Sequence, residues 1–193
     1  MAERLFLVRH GQTELNWAGR LQGSIDSPLT ERGIEQAKTV ATKLHALVGS
    51  SPVALWISPL GRAQQTAEII SEHLIVSARK TDHRLAEIRL GEWEGMTMED
   101  IEFTHPGALD GAGRFGWAYR APGGEPQELF FGRLADLLTQ IEAASEPIIA
   151  VSHGWAGMGL RSLYLDQPFE AVTAKGDSHE AVFEFSDGAI KEH

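Results

Sequence analysis

Three short apolar runs constrain this 193-residue chain most strongly, each ending on polar residues that open into a helical stretch. They are LFLV (5–8) before Arg9-His10-Gly11, VALWIS (53–58) before Pro59, and PIIAVSH (147–153) before Gly154. Bounded apolar runs of this length read as buried strands. After the first, SPLTERGIEQAKTVATKLHALV places Ile34, Ala37, Ala41, Leu44 and Val48 at helical spacing. Thr30 is a fitting N-cap, Leu29 with Ile34 has the spacing of a hydrophobic staple, and Gly49 can end the helix. After the second, SPLGRAQQTAEIISEHL reads as a helix with Ser58 as N-cap and Pro59 in its first position. GWAGMGLRSLYL follows the third, and residues 126–144 make a long amphipathic helix. AVFEFS (181–186) alternates apolar and polar residues, as an edge or half-exposed strand does. Strands alternating with helices predict an α/β fold. It is a three-layer sandwich in which a mostly parallel sheet carries helices on both faces. Residues 1–193 read as a single domain.

Residues 91–125 break this rhythm. They are rich in Gly and carry Pro106 and Pro122, so they read as a mostly irregular, lid-like excursion with a short helix near 97–103.

Composition narrows the function. There is no Cys, so disulfides, thiolate nucleophiles and Cys-based zinc sites are excluded. No apolar stretch approaches a membrane span or a secretory signal, which places the chain among soluble cytoplasmic proteins. A net charge of -10 argues against nucleic acid as a partner but not against a small anion held by a local cationic cluster. Nothing in the sequence specifies an oligomeric state.

In open α/β sheets, ligands bind outside the carboxyl ends of the strands. If the three strands are parallel, Arg9 and His10, then Arg62 just after Ser58, then His153 meet at one sheet edge. Two guanidiniums and two imidazoles form a box for a phosphoryl group. Arg binds phosphate oxygens in forked geometry, one His can attack phosphorus, and the other, protonated, can hold the transferring oxygens. The helix after Pro59 would add a positive dipole end, and Gly11 and Gly154 leave room for backbone to approach the anion. A metal site reads poorly, because His-x-His and His-Glu-x-x-His spacings are absent and Arg neighbours would repel a cation. Hydrolysis of an ester also needs a proton donor for the leaving oxygen. Glu87, Glu92 and Glu94 in RLAEIRLGEWEG all qualify by position.

The motifs LVRHGQTELN, GRLQGSIDSPLTERGIEQA, ISPLGRAQQTAE, LAEIRLGEWEG, GGE and AVSHGW occur in this order along most of the chain. Together they resemble the histidine phosphatase superfamily, its phosphoglycerate mutase-like branch. The resemblance implies a metal-independent, cofactor-free phosphomonoesterase acting on a small phosphorylated metabolite. It implies His10 as the nucleophile that becomes a phosphohistidine, Glu87 as proton donor, and Arg9, Arg62 and His153 completing the phosphate pocket. Asn16 is similar to a phosphate-contacting residue, and Gln22 and Gly23 lie where the family's loop approaches substrate. In the family's mutases Arg, His and Tyr directly follow the acid. Here Ile88, Arg89 and Leu90 do, and ExxxGxWEG with a short Gly-rich insertion is similar to the phosphatases. A bisphosphoglycerate-dependent mutase and a non-catalytic phospho-ligand binding protein are the alternatives. Four features depart from the family's usual pattern or sit outside it. Pro126 follows GGE, and Trp155 follows SHG, where its indole either narrows the pocket or packs in the core. KGDSHEAVFEF matches poorly, which leaves Ser178 and His179 as site residues or as parts of an ordinary turn. Arg114, Trp117, Tyr119 and Arg120 in the excursion are potential substrate contacts, Arg120 for a second anionic group.

Overall fold

A computed structural model describes residues 4–172 and 178–193. In chain order its elements are β1 (Leu5–Arg9), α1 (Glu14–Trp17), α2 (Glu31–Val48), β2 (Val53–Ile57), α3 (Gly61–Ser71), β3 (Val76–Thr81), α4 (Met98–Thr104) and α5 (Gly113–Gly116). There follow α6 (Gln127–Glu142), β4 (Ile148–Ser152), α7 (Gly154–Leu165), α8 (Phe169–Val172), β5 (Val182–Ser186) and β6 (Ala189–Glu192). Single 3₁₀ turns lie at His83–Leu85, Gly91–Trp93 and Trp117–Arg120. Among the described residues no helix is long and apolar enough to cross a membrane.

The sheet runs β3-β2-β4-β1-β5-β6. The first four strands are parallel, β5 is antiparallel to β1, and β6 is antiparallel to β5. Successive side chains of a strand point to opposite faces. In β1, Phe6 and Val8 pack with Val40, Leu44, Ala63 and Ile70 of α2 and α3. Leu5 and Leu7 pack on the other face with Phe130, Leu134, Ala156 and Leu160 of α6 and α7. The sheet is thus apolar on both sides, as the unbroken apolar runs require. Full burial of each such side chain contributes about 1.5–3 kcal/mol.

Several elements differ from the sequence expectation. β3 and β6 carry mixed, exposed sequences without a buried-strand signature. β5 is not an edge, because β6 covers it. Its Glu184 is tolerated in the interior because Arg4 donates to one carboxylate oxygen and His193 bonds the other. On α2, Thr30 caps as expected, its Oγ1 accepting the Gly33 N–H at 3.0 Å. Ile34 instead faces outward at 37% exposure, and Gly33 takes the inward position. The excursion is not mostly irregular. Helix α4 falls where one was expected, and Trp93, Ile101, Ala118 and Ala121 belong to the core beneath α6 and α7.

Candidate active site

The order β2-β4-β1 brings the three polar strand ends side by side. Arg9 is in register with Ser152, and Ile57 with Val151. One residue beyond, the His10 N–H donates to the Ser152 carbonyl at 3.0 Å and the Ser58 N–H to the Val151 carbonyl at 3.0 Å. His10 and His153 therefore leave adjacent strands, and their ring centroids lie 5.0 Å apart.

The His10 Nδ1 lies 2.7 Å from the Gly11 carbonyl, which can only accept, so Nδ1 carries the proton. Its Nε2 is left with a lone pair that meets the Arg62 Nε–H at 3.3 Å. Burial, then the Arg9 and Arg62 charges, hold His10 well below the usual imidazole range. Burial and the same cationic surroundings do so for His153. Both rings are thus neutral among these cations, and the protonated second imidazole expected from the sequence requires an anion to join them. His153 Nε2 bonds the Ser58 hydroxyl at 2.6 Å, whereas its buried Nδ1 has no hydrogen-bond partner among the described residues. The buried Oε1 of Gln22 has none either. Orphaned polar atoms in a cationic pocket fit an incoming ligand.

The turn after His10 is held by a close backbone approach. A Cβ on Gly11 would stand 2.2 Å from the Gly33 carbonyl oxygen, and one on Gly33 would stand 2.1 Å from that of Gln12. Gly11 thus permits the close contact with α2. Helix α3 also differs from expectation: it begins at Gly61, not Pro59, and Ser58 is not its N-cap. Asp26 caps it, accepting the Gly61 and Arg62 N–H groups, so the dipole end expected for phosphate is already occupied. Arg62 is 1% exposed, and burial lowers its pKa against the opposing influence of Glu87 and Asp26. Its guanidinium donates to Ile25 O (2.8 Å), Gly23 O (2.9 Å) and Asp26 Oδ1 (3.3 Å). Gly23 has φ +56°, and a Cβ there would clash with Glu94. Asn16 stands in the capping box of α1, where its Oδ1 accepts the Thr13 N–H at 3.2 Å.

Glu87 separates from its two rivals. Its Oε1 accepts the Ile88 N–H (3.0 Å) and the Ala156 N–H (3.1 Å), and its Oε2 accepts the Trp155 N–H (3.1 Å) at the first turn of α7. Glu92 is exposed and faces His105. Glu94 is a latch, joining the Leu90 N–H to the Ser24 N–H and hydroxyl. Beside Glu87 lies a cavity of about 400 Å³ whose lining includes Ser24, His83, Arg84, Arg89 and Arg133.

The uncertain features also find their places. The Trp155 indole packs with Phe115, Trp117, Tyr119 and Phe169 rather than standing free. His179 donates through Nδ1 to the His10 carbonyl at 2.7 Å, with its ring 5.7 Å from that of His10. Arg120 is spent on the Ala108 and Asp110 carbonyls. The Arg114 side chain and residues 175–177 of the KGDSHEAVFEF stretch lie outside the described residues. Asp26 and Glu94 were not singled out from sequence as structural holders. A carboxylate that grips backbone N–H groups 35 or 70 residues away has no local signature.

An α/β sheet presenting paired His and Arg residues at its carboxyl edge is an arrangement able to hold a phosphoryl group. The model of the histidine phosphatase superfamily (branch 1) matches residues 5–181, and the chain belongs to that superfamily. It is 33% identical over 189 residues to the glucosyl-3-phosphoglycerate phosphatase of Mycobacterium tuberculosis (strain ATCC 25618 / H37Rv), covering 91% of this chain and 81% of the relative. It is 35% identical over 178 residues to the probable phosphoglycerate mutase GpmB of Yersinia pestis (strain Pestoides F), covering 87% and 77%. The solved structure of Bacillus stearothermophilus YhfR superposes with a TM-score of 0.83 at 30% identity over 98% of this chain and 95% of the other.

Proposed function

We propose that the protein is a metal-independent phosphomonoesterase that turns over a small phosphorylated metabolite through a phosphohistidine on His10. The observation that carries this reading is the His10 tautomer: Nδ1–H is committed to the Gly11 carbonyl, which leaves the Nε2 lone pair toward Arg62, with the His153 ring 5.0 Å away. A neutral imidazole is the nucleophilic form, and burial among cations keeps it neutral. Arg9 and Arg62 balance the phosphate charge, and the dianion returns to His153 the proton that the cations disfavour. His153 then holds the transferring oxygens. Asn16, Gln22 and the loop at Gly23 complete the phosphate's surroundings.

Nε2 of His10 forms a bond to phosphorus as the bond from phosphorus to the ester oxygen breaks. Glu87 gives its proton to that oxygen and the alcohol leaves. Glu87, now ionised, takes a proton from water, whose oxygen bonds phosphorus as the N–P bond breaks. Inorganic phosphate leaves and His10 is restored. The single backbone donor on Glu87 Oε2 leaves that oxygen room for the proton. The two imidazoles share their pocket with guanidiniums, a poor donor set for a cation. The reading includes a cytoplasmic location; among the described residues no helix is long and apolar enough to cross a membrane.

The test is a rapid-quench reaction with a ³²P-labelled monoester in EDTA. An acid-labile, base-stable phosphoenzyme, absent in His10→Ala, is expected. Loss of turnover on chelation, or an unlabelled protein that still turns over, contradicts the reading. The mutase reading is favoured by the GpmB likeness alone. It predicts activity only after priming by a bisphosphate, which a coupled phosphoglycerate assay measures.

A further inference from the structure

We propose that Glu125 and Arg133 are a positioning pair for Glu87: their joined side chains fix the backbone that leads into the proposed acid and so set where its carboxyl stands. The proposal rests on the phosphomonoesterase reading. It assigns a role to GGE (123–125), the sequence motif that the site described above leaves unused.

Glu87 belongs to no helix or strand. It stands between the 3₁₀ turns at His83–Leu85 and Gly91–Trp93, and its carboxylate reaches across to the first turn of α7. Its place therefore depends on what holds the chain to either side. Upstream, three successive carbonyls are gripped. Arg133 Nη1 donates to those of Arg84 at 2.6 Å and Ala86 at 2.8 Å, and between them the Ser152 hydroxyl donates to that of Leu85 at 2.8 Å. Downstream, the GGE turn pairs with the chain. The Glu125 N–H donates to the Arg89 carbonyl and the Glu92 N–H to the Pro122 carbonyl, both at 2.9 Å.

The charge pair makes the upstream grip directional. Arg133 donates through Nε and Nη2 to the two oxygens of the buried Glu125 carboxylate at 2.7 and 2.9 Å. Such a fork fixes the plane of the guanidinium and leaves Nη1 for the two carbonyls. With Nε, Nη1 and Nη2 all engaged, Arg133 is committed to the protein rather than to a substrate, although it lines the same cavity as Glu87. Arg133 is rooted in α6, which packs with α7, the helix whose Trp155 and Ala156 N–H groups receive the carboxylate. One rigid unit thus holds both the backbone and the head group of Glu87. A pair kept for stability alone has an apolar equivalent of similar size. What an apolar pair cannot supply is the N–H donors to the carbonyls before Glu87.

The test removes the pair in two ways. Glu125→Leu with Arg133→Met replaces it by apolar side chains, an exchange that commonly keeps the fold. Arg133→Lys keeps the charge and loses the fork. Phosphorylation of His10 is followed in single turnover with glycerol 3-phosphate, whose leaving alkoxide needs a proton, and with p-nitrophenyl phosphate, whose leaving group needs little. A loss of about 10–10²-fold on the alkyl ester, with little change on the aryl ester, is expected from a carboxyl displaced by about 1 Å. In Glu87→Gln the same replacement should cost nothing further, because both changes act through one group. Equal losses on the two esters, no loss, or a loss that persists in Glu87→Gln overturns the proposal. Amide hydrogen exchange supplies a readout without turnover. N–H groups in the first turn of a helix have no acceptor within it, so protection at Trp155 and Ala156 reports the Glu87 carboxylate. Both variants should exchange these two amides about tenfold faster, with Leu160 in the middle of α7 unchanged. Unchanged protection at the two amides, or protection lost throughout α7, counts against a positioning role. A wild type that phosphorylates His10 with neither ester refutes the phosphomonoesterase reading, and the exchange data then decide the pair by themselves.

Discussion

The Glu87 carboxylate and the Trp155 amide meet at 3.1 Å on the first turn of α7, and the indole of the same Trp155 is packed against Phe115, Trp117, Tyr119 and Phe169. One residue therefore ties the proposed acid to the excursion of residues 91–125. Its backbone sets the carboxyl, and its side chain sets the segment that covers α7.

Trp155→Ala keeps the N–H but empties the centre of the aromatic cluster. A loss of about 2 kcal/mol in stability follows from truncating a half-buried indole. Catalysis should fall roughly tenfold as the first turn of α7 loosens around Glu87. Trp155→Phe should restore most of both. Urea midpoints together with kcat and KM for all three proteins check this, and a drop in stability with catalysis intact would separate the cluster from the acid.

Glu87→Gln leaves an amide where two oxygens accept three backbone N–H groups. Its NH₂ must oppose at least one of them, a penalty of about 1–3 kcal/mol in folding. Loss of the proposed proton donor should lower kcat about 10²–10⁴-fold on alkyl phosphates. Phosphorylation of His10 by p-nitrophenyl phosphate, whose leaving group needs little protonation, should suffer much less. Comparing the two esters in single turnover measures the difference, and equal losses would remove Glu87 from the first step.

Asp26 caps α3 and faces the Arg62 guanidinium. Asp26→Ala should cost about 1 kcal/mol in stability through the lost cap. It should also raise KM for every phosphomonoester, because Arg62 loses its carboxylate and its set orientation. Denaturation midpoints and KM across a substrate panel test the pair of effects.

Burial, joined by neighbouring cations, lowers His10 and His153 well below 6.5, and burial with Arg9 takes His179 to about 4. The unfolded chain binds protons at these sites near 6.5 while the folded chain still refuses them. Stability should therefore rise with pH up to about 6.5 and fall progressively below it. Urea midpoints at pH 7.5 and 5.0 read this, and His179→Gln should show the smaller drop. The depressed carboxyls of Asp82 and Glu184 titrate at lower pH and deepen the loss there. Equal midpoints at the two pH values would contradict the burial of these imidazoles.

Much of the fold was legible because its strands are buried on both faces. The runs at 5–8, 53–58 and 147–153 are apolar throughout, a pattern that exposed elements cannot show. β3 and β6 escaped because their exposed strands have no such pattern: VSARKT and AIKE are held by neighbours, not by their own hydrophobicity. Ile34 misled because helical spacing sets a stripe without saying which edge of it faces the sheet. Gly33 was chosen inward by the approach of the Gly11 turn.

The sequence by itself determined which polar residues stand at each strand end. Arg9-His10, Ser58 with Arg62, and Ser152-His153 stand where bounded apolar runs must stop, and strand burial dictates that independently of the rest of the chain. The tertiary structure alone decided how those groups are tuned and held. Neutral imidazoles arise from burial beside guanidiniums supplied by other elements. Asp26 and Glu94 grip backbone far away in sequence, and the Glu87 carboxyl takes its orientation from N–H groups of α7. These are interactions through space, and a linear order of residues carries no record of which distant donors will face a given carboxylate.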